Sequence, residues 1–192
     1  MERFVVRVML PDRPGALGLV ASRVGAVRGE IVGIDILERT AGRAVDEFVV
    51  DLPDASLLEL LVAEVTAVDG VDVDDVRPAP SGRRDPRLEA LETAVYLTEA
   101  TSVDTLLESL VTSARRTLDA DTAVVEPELP APPTPEDDVA RVSLPSAGRA
   151  LVLRRAGRRF RSRELARLSA LACIADLRWR ELSGRVATDG GR

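Results

Sequence analysis

Apolar positions alternate from the start of the chain. Phe4, Val6, Val8 and Leu10 fall on one face and Val5, Arg7 and Met9 on the other, the period of two that predicts a half-buried strand. Leu17, Val20, Ala21, Val24 and Val27 then recur at helical spacing. Ile31 to Glu38 reads as a second strand with Val32, Ile34 and Ile36 on one face. After the turn Thr40-Ala41-Gly42-Arg43, Val45 to Leu52 reads as a third, with Phe48, Val50 and Leu52 toward the core. Pro53-Asp54-Ala55-Ser56 breaks the chain and caps a helix carrying Leu57, Leu61, Val65 and Val68. Asp69-Gly70 ends that helix, and Val71 to Arg77 is a short last strand. The order β-α-β-β-α-β predicts a ferredoxin-like split arrangement with both helices on one sheet face. Val5, Met9, Val45 and Val49 are then left on the second face, where an exposed apolar surface favours burial by a partner.

Periodicity stops at Arg77-Pro78-Ala79-Pro80-Ser81-Gly82-Arg83-Arg84-Asp85-Pro86, where three prolines and a glycine discourage helix and sheet. Beyond it, Leu88, Leu91, Val95 and Thr98 suggest a helix. Thr101 with Asp104 opens another, whose apolar face is Val103, Leu107, Leu110, Val111, Ala114 and Leu118. Asp121 to Glu126 is a short β-type run, and Pro127 to Asp138, with five prolines and four acids, is a loop. Val139 to Leu144 and Arg149 to Arg154 form a hairpin around Pro145-Ser146-Ala147-Gly148. A long helix follows from about Ser162, its cap, to Ser183. It is apolar nearly all round its middle, which predicts burial on more than one side with Cys173 as an inert core thiol. The pattern divides the chain into a first domain (1–77), a linker (78–87), a second domain (88–185) and a disordered tail (186–192). The fold class is α+β.

Charge sharpens that division. Residues 1–80 carry 8 Arg against 15 acids and residues 81–192 carry 18 Arg against 17 acids, so the net charge of −6 hides an acidic first half and a balanced second. Composition narrows the chemistry further, because the chain has no His, Lys, Asn or Gln and every cation is Arg. Histidine bases, lysine Schiff bases and histidine metal sites are excluded. A single cysteine excludes an internal disulfide and a cysteine-cluster zinc site. No catalytic residue, metal ligand or cofactor is expected, and the chain reads as a non-enzyme. No apolar run approaches the ~20 residues of a membrane span, and no signal-peptide pattern precedes the first strand, so no membrane contact and a cytoplasmic location are expected.

The segment best suited to binding is Leu10-Pro11-Asp12-Arg13-Pro14-Gly15-Ala16-Leu17, between the first strand and the first helix. Asp12 can cap the helix, Pro14 fits its first turn, and Gly15 lets a ligand approach the backbone. Free N–H groups at such a helix start favour anions, including the carboxylate of an amino acid. Arg13 reads equally as a carboxylate contact or a solvated charge. The arginines at 154, 155, 158, 159, 161, 163 and 167 are the main basic cluster. Only Phe160 interleaves them and no helix-turn-helix pattern accompanies them, so a paired or solvated junction is expected rather than a nucleic-acid surface.

Residues 4–77 resemble an ACT domain, a regulatory module that commonly binds amino acids. The matching marks are Asp12-Arg13-Pro14-Gly15-Ala16-Leu17, the lead-in Gly29-Glu30-Ile31-Val32-Gly33-Ile34 to the second strand, and the order of six elements. The resemblance implies side-by-side pairing into a homodimer. An amino acid or small carboxylate effector would be held by the backbone of Asp12, Arg13, Pro14, Gly15, Ala16 and Leu17, with Glu30, Ile31 and Val32 of a second copy completing the pocket. Many amino-acid-binding ACT domains carry Asn where this chain has Glu30. Ionised Glu only accepts hydrogen bonds, which suits an ammonium and repels a carboxylate.

Residues 88–183 resemble a reduced GAF domain. The segment that carries this is Leu151-Val152-Leu153-Arg154-Arg155 through Arg158-Arg159-Phe160 to Glu164-Leu165-Leu168-Leu171-Ala172. It implies a strand, a basic-aromatic turn and a helix that joins a dimer interface, with no cyclic-nucleotide or chromophore site. The chain as a whole therefore reads as a regulatory protein that binds a small effector and reports to an unidentified protein partner. Its alternatives are a ligand-free dimerisation scaffold and, less well supported, a nucleic-acid-associated regulator.

Overall fold

The computed structural model describes residues 1–79, 86–128 and 138–189. The chain divides into two compact units, Met1–Arg83 and Arg84–Arg192. Both are mixed α and β, each with helices on an antiparallel sheet.

The first unit follows the order β1 (Glu2–Pro11), α1 (Ala16–Ala26), β2 (Glu30–Thr40), β3 (Arg43–Leu52), α2 (Leu58–Thr66) and β4 (Asp72–Pro78). Its sheet runs β2-β3-β1-β4, the order the split arrangement predicts. Phe4, Val6, Val8 and Leu10 of β1 join Phe48, Val50 and Leu52 of β3 under Val20 and Val24 of α1 and Leu61 and Val65 of α2. The gap between sheet and helices, lined by Val6, Val8, Val20, Val24, Phe48 and Leu61 among others, is wholly apolar and too small for a water molecule. Asp54 accepts from the Ser56 N–H at 2.8 Å and caps a short 3-10 turn that leads into α2.

Three expectations for this unit change. Val32 does not share a face with Ile34 and Ile36. The β2–β3 register shifts between Ile31 and Gly33, so Ile31 packs on the core and Val32 occupies the extra position. The second sheet face is not an exposed apolar surface. Val5 and Val45 are buried, and Met9 and Val49 are half-buried. Charged pairs share this face: Arg7 Nη2 donates to Glu47 Oε2 at 3.0 Å, and Arg77 Nη2 donates to the same oxygen at 2.9 Å. Arg77 also reaches Asp75, and Arg3 reaches Asp51. Finally, α1 begins at Ala16, after Pro14 rather than at it.

The second unit contains α3 (Pro86–Glu99), α4 (Val103–Thr117), β5 (Thr122–Pro127), β6 (Val139–Leu144), β7 (Arg149–Arg154) and α5 (Ser162–Asp189). β6 and β7 form the expected hairpin, and β7 lies centrally in the sheet β5-β7-β6. The loop from Pro127 to Asp138 falls largely on 129–137, outside the described residues, and so does 80–85 of the expected linker. α5 continues over 186–189, where a disordered tail is expected, and 190–192 lie outside the described residues.

The helices carry the corrections here. α3 exposes Leu88, Leu91, Val95 and Thr98 and buries the opposite side through Thr93, Leu97 and Ala100, the residue just after its end. Ser102, not Thr101, caps α4: its Oγ accepts from the Thr105 N–H at 3.2 Å. Leu106 joins Leu110 and Ala114 in the core, while Leu107 is half-buried. Cys173 is exposed rather than in the core. At 100° per residue, the buried Leu168, Leu171, Ala172 and Ala175 turn it outward, and Leu165 and Leu177 are exposed too.

Candidate functional site

The turn from Asp12 to Gly15 is built by backbone constraints. The Asp12 N–H donates to Gly42 O at 2.8 Å, fastening the turn to the β2–β3 hairpin. The Arg13 N–H donates to Pro11 O at 2.9 Å. Gly15 is the N-cap of α1 with φ +88°, in the left-handed region, and no side chain caps the helix. Asp12 is therefore not the cap. Its Oδ1 lies 3.8 Å from Arg39 Nη1, while Arg13 Nη2 lies 3.9 Å from Asp69 Oδ2, a solvated contact.

This geometry leaves a polar opening. Ala16 N–H reaches Arg13 O at 3.3 Å and Leu19 N–H reaches Gly15 O at 3.0 Å. The N–H groups of Leu17 and Gly18 have no acceptor among the described residues, as expected at an uncapped helix start. A Cβ built on Gly15 would meet nothing within 4 Å, so the backbone is open to approach. Asp12, Arg13, Pro14 and Gly15 are exposed, Ala16 is buried, and Leu17 is exposed.

The other predicted contacts lie elsewhere on the unit. Through β3, Glu30 aligns with Asp51 and Arg3, whereas Thr40 aligns with Arg43 and Pro11. The step from Arg3 to Pro11 spans roughly 27 Å along β1. One copy of the unit thus holds the turn and the segment Glu30, Ile31, Val32 at opposite ends of its sheet. Glu30 and Val32 are exposed and Ile31 is half-buried. Val32 and Ile34 are large apolar residues exposed on β2, the outer strand, and Leu17 and Leu19 are exposed on α1.

Sequence reasoning missed Asp46. It is 4% exposed, its Oδ1 is enclosed without a hydrogen-bond partner, and it faces Val8 on β1 and Ile36 on β2. It shares strand parity with Ala44 and Phe48 and so lies on the face that α1 covers. Burial pushes its carboxyl above the usual range; Arg39 opposes this, and Asp12 and Asp35 add to it. An acid two residues before Phe48, on a core parity, was the signal that could have found it.

The basic cluster of the second unit turns inward where its partners are described. Arg155, 1% exposed, donates through Nη1 to Glu164 Oε1 at 2.6 Å and through Nη2 to Glu164 Oε2 at 2.7 Å. It also donates to Leu118 O, Arg158 O and Arg159 O, and its guanidinium lies 4.0 Å from the Phe160 ring centre. Arg158 donates to Asp119 Oδ2 at 2.9 Å. Among the described residues no group of three metal-ligating side chains comes together, and no helix is long and apolar enough to cross a membrane.

No protein-family model and no curated protein matches the chain. Among solved structures it is similar to an unknown protein from Galdieria sulphuraria, at 15% identity and a TM-score of 0.37, over 79% of this chain and 78% of that one. It is also similar to a formyltetrahydrofolate deformylase from Pseudomonas putida KT2440, at 17% identity and a TM-score of 0.32, over 50% of this chain and 37% of that one. Likeness at this level carries no functional argument.

Proposed function

We propose that the first unit is an ACT-like sensor that binds an amino acid or similar small effector at the α1 turn, within a non-catalytic regulatory homodimer. The observation that carries this reading is the uncapped start of α1, where Gly15 is open and left-handed and the N–H groups of Leu17 and Gly18 face no acceptor among the described residues. Such a site accepts a carboxylate oxygen without rearrangement.

The separation of Glu30 from the turn supports pairing as part of the site. Two copies placed side by side about a two-fold axis near the middle of β2 have antiparallel β2 strands. The Glu30 end of one then meets the Thr40 end of the other, beside its turn. The exposed Val32 and Ile34 supply apolar area for that contact. Effector binding would stabilise one arrangement of the pair, and the linker and the GAF-like second unit would report it to a protein partner.

Thermal-shift and calorimetric titration of the full chain with the twenty proteinogenic amino acids tests the reading. A saturable rise in melting temperature with at least one of them is expected, through binding to the folded state. No response from any would defeat it. A second reading, a ligand-free scaffold, draws on the same exposed Leu17, Val32 and Ile34, which a second copy covers with or without an effector. It predicts a dimer whose mass and stability ignore the whole panel.

A further inference from the structure

Two helix faces of the second unit are apolar and uncovered. On α3, Leu88, Leu91 and Val95 recur at helical spacing and are exposed, Leu91 by 67%, with Tyr96 exposed beside them. On α5, Ala166, Ala170, Cys173 and Leu177 follow a four-three-four spacing that sets them on one side of the helix. All four are exposed, while Leu168, Ala172 and Ala175 are buried on the opposite side. α3 packs on α5, so the two open faces lie on neighbouring helices. A helix apolar on two sides calls for two coverings, and within one copy α5 has one.

Charge, shape and area indicate what supplies the other. At 100° per residue, Glu92 and Glu99 flank the α3 stripe, and Arg163 and Arg180 flank the α5 stripe. Pairing α3 with α3 sets acid against acid, and pairing α5 with α5 sets arginine against arginine. Pairing α3 of one copy with α5 of another sets acid against arginine, and a two-fold axis makes that contact twice. The small side chains at 166, 170 and 173 also leave room for the large ones at 88, 91 and 95. The stripes present roughly 600 Å² a copy, so a pair buries about 1,200 Å², the lower end of specific interfaces.

We propose that the second unit carries a self-association surface of its own, in which α3 of one copy covers the stripe from Ala166 to Leu177 on α5 of a second. The inference stands apart from the effector reading and from the β2 contact. Its area makes it a weak contact, populated at high protein concentration.

Cys173 is the chain's single cysteine and lies in the stripe, so its reaction with a neutral maleimide reports the contact directly. The comparison is with Leu91→Glu, which keeps a good helix former at an exposed position and is checked for folding by circular dichroism. At about 500 µM full chain, wild type should react about fivefold more slowly than the variant, and the difference should vanish on dilution to about 1 µM. Equal rates at the high concentration, or a difference that dilution leaves unchanged, would overturn the proposal. Sedimentation equilibrium in the Ile34→Asp background, where the β2 contact is spoiled, tests the choice of α3 as the cover. There, Arg180→Glu should weaken the residual self-association about threefold, and adding Glu99→Arg should recover it. Self-association that Arg180→Glu tightens points to α5 against α5, and one that it leaves unchanged lies on another surface; either result overturns the proposal.

Discussion

Asp12 and Glu30 stand at opposite ends of the first unit's sheet. Asp12 follows Pro11, which aligns through Arg43 with Thr40, while Glu30 aligns through Asp51 with Arg3. Both belong to the segments that mark this unit, and no motion short of unfolding brings them together within one copy. A second copy, paired as proposed, would do so by symmetry. Placing an acid in the apolar patch that such a copy would cover, as in Ile34→Asp, should therefore shift the chain toward monomer without unfolding it. Sedimentation velocity with a parallel circular dichroism melt checks both halves of that statement.

Asp46→Asn should stabilise the protein at neutral pH. Its carboxyl is held above the usual range, so the charged form is the costly one in the folded state. Its contribution is most favourable below the unfolded carboxyl value and is lost as pH rises through the higher folded value. The variant's advantage should thus be largest at neutral pH, where it removes the buried charge while keeping the side chain's shape. It should shrink as pH falls through the raised folded value and be gone below the ordinary carboxyl range. Urea denaturation at pH 7 and at pH 4 measures the difference.

Arg155→Met should destabilise the second unit by about 3–5 kcal/mol, because it removes the buried Arg155 guanidinium from the buried Glu164 carboxylate. The double variant Arg155→Met with Glu164→Leu should recover much of the loss. Equilibrium unfolding of the single and double variants provides the cycle.

Gly15→Ala should separate binding from folding. At φ +88° an alanine costs about 1 kcal/mol, and no described atom lies within 4 Å of the added methyl. Stability should fall slightly, while effector affinity should fall more, because the methyl stands in the open approach to the backbone. Gly29→Ala is the contrasting case. Its Cβ would lie 2.9 Å from Val24 Cγ1 and 3.0 Å from Val24 O, so it should cost about 1–3 kcal/mol of stability. Thermal melts and titrations on both variants distinguish them.

The strands were legible wherever one face is buried. Phe4, Val6, Val8 and Leu10 announce β1 by parity alone, and Pro145 to Gly148 announces the β6–β7 hairpin. Features that depend on neighbours were not. The residues Leu88, Leu91, Val95 and Thr98 have helical spacing, but the α4 and α5 partners of α3 take its other side through Leu97 and Ala100. The shift at Val32 depends on pairing with β3, which no local pattern states. Asp12 has the chemistry of a cap, yet Gly15 takes that position by adopting a left-handed backbone. The turn was legible as a motif; Asp46 was hidden because it is a polar residue on a core parity.

The most direct test of the account is calorimetric titration of the full chain with the twenty proteinogenic amino acids, repeated on Ile34→Asp. The account predicts saturable binding of at least one of them to the wild-type chain and a loss of that binding in the monomeric variant. Absence of binding to the wild type, or binding of equal strength to a monomeric Ile34→Asp protein, would contradict it.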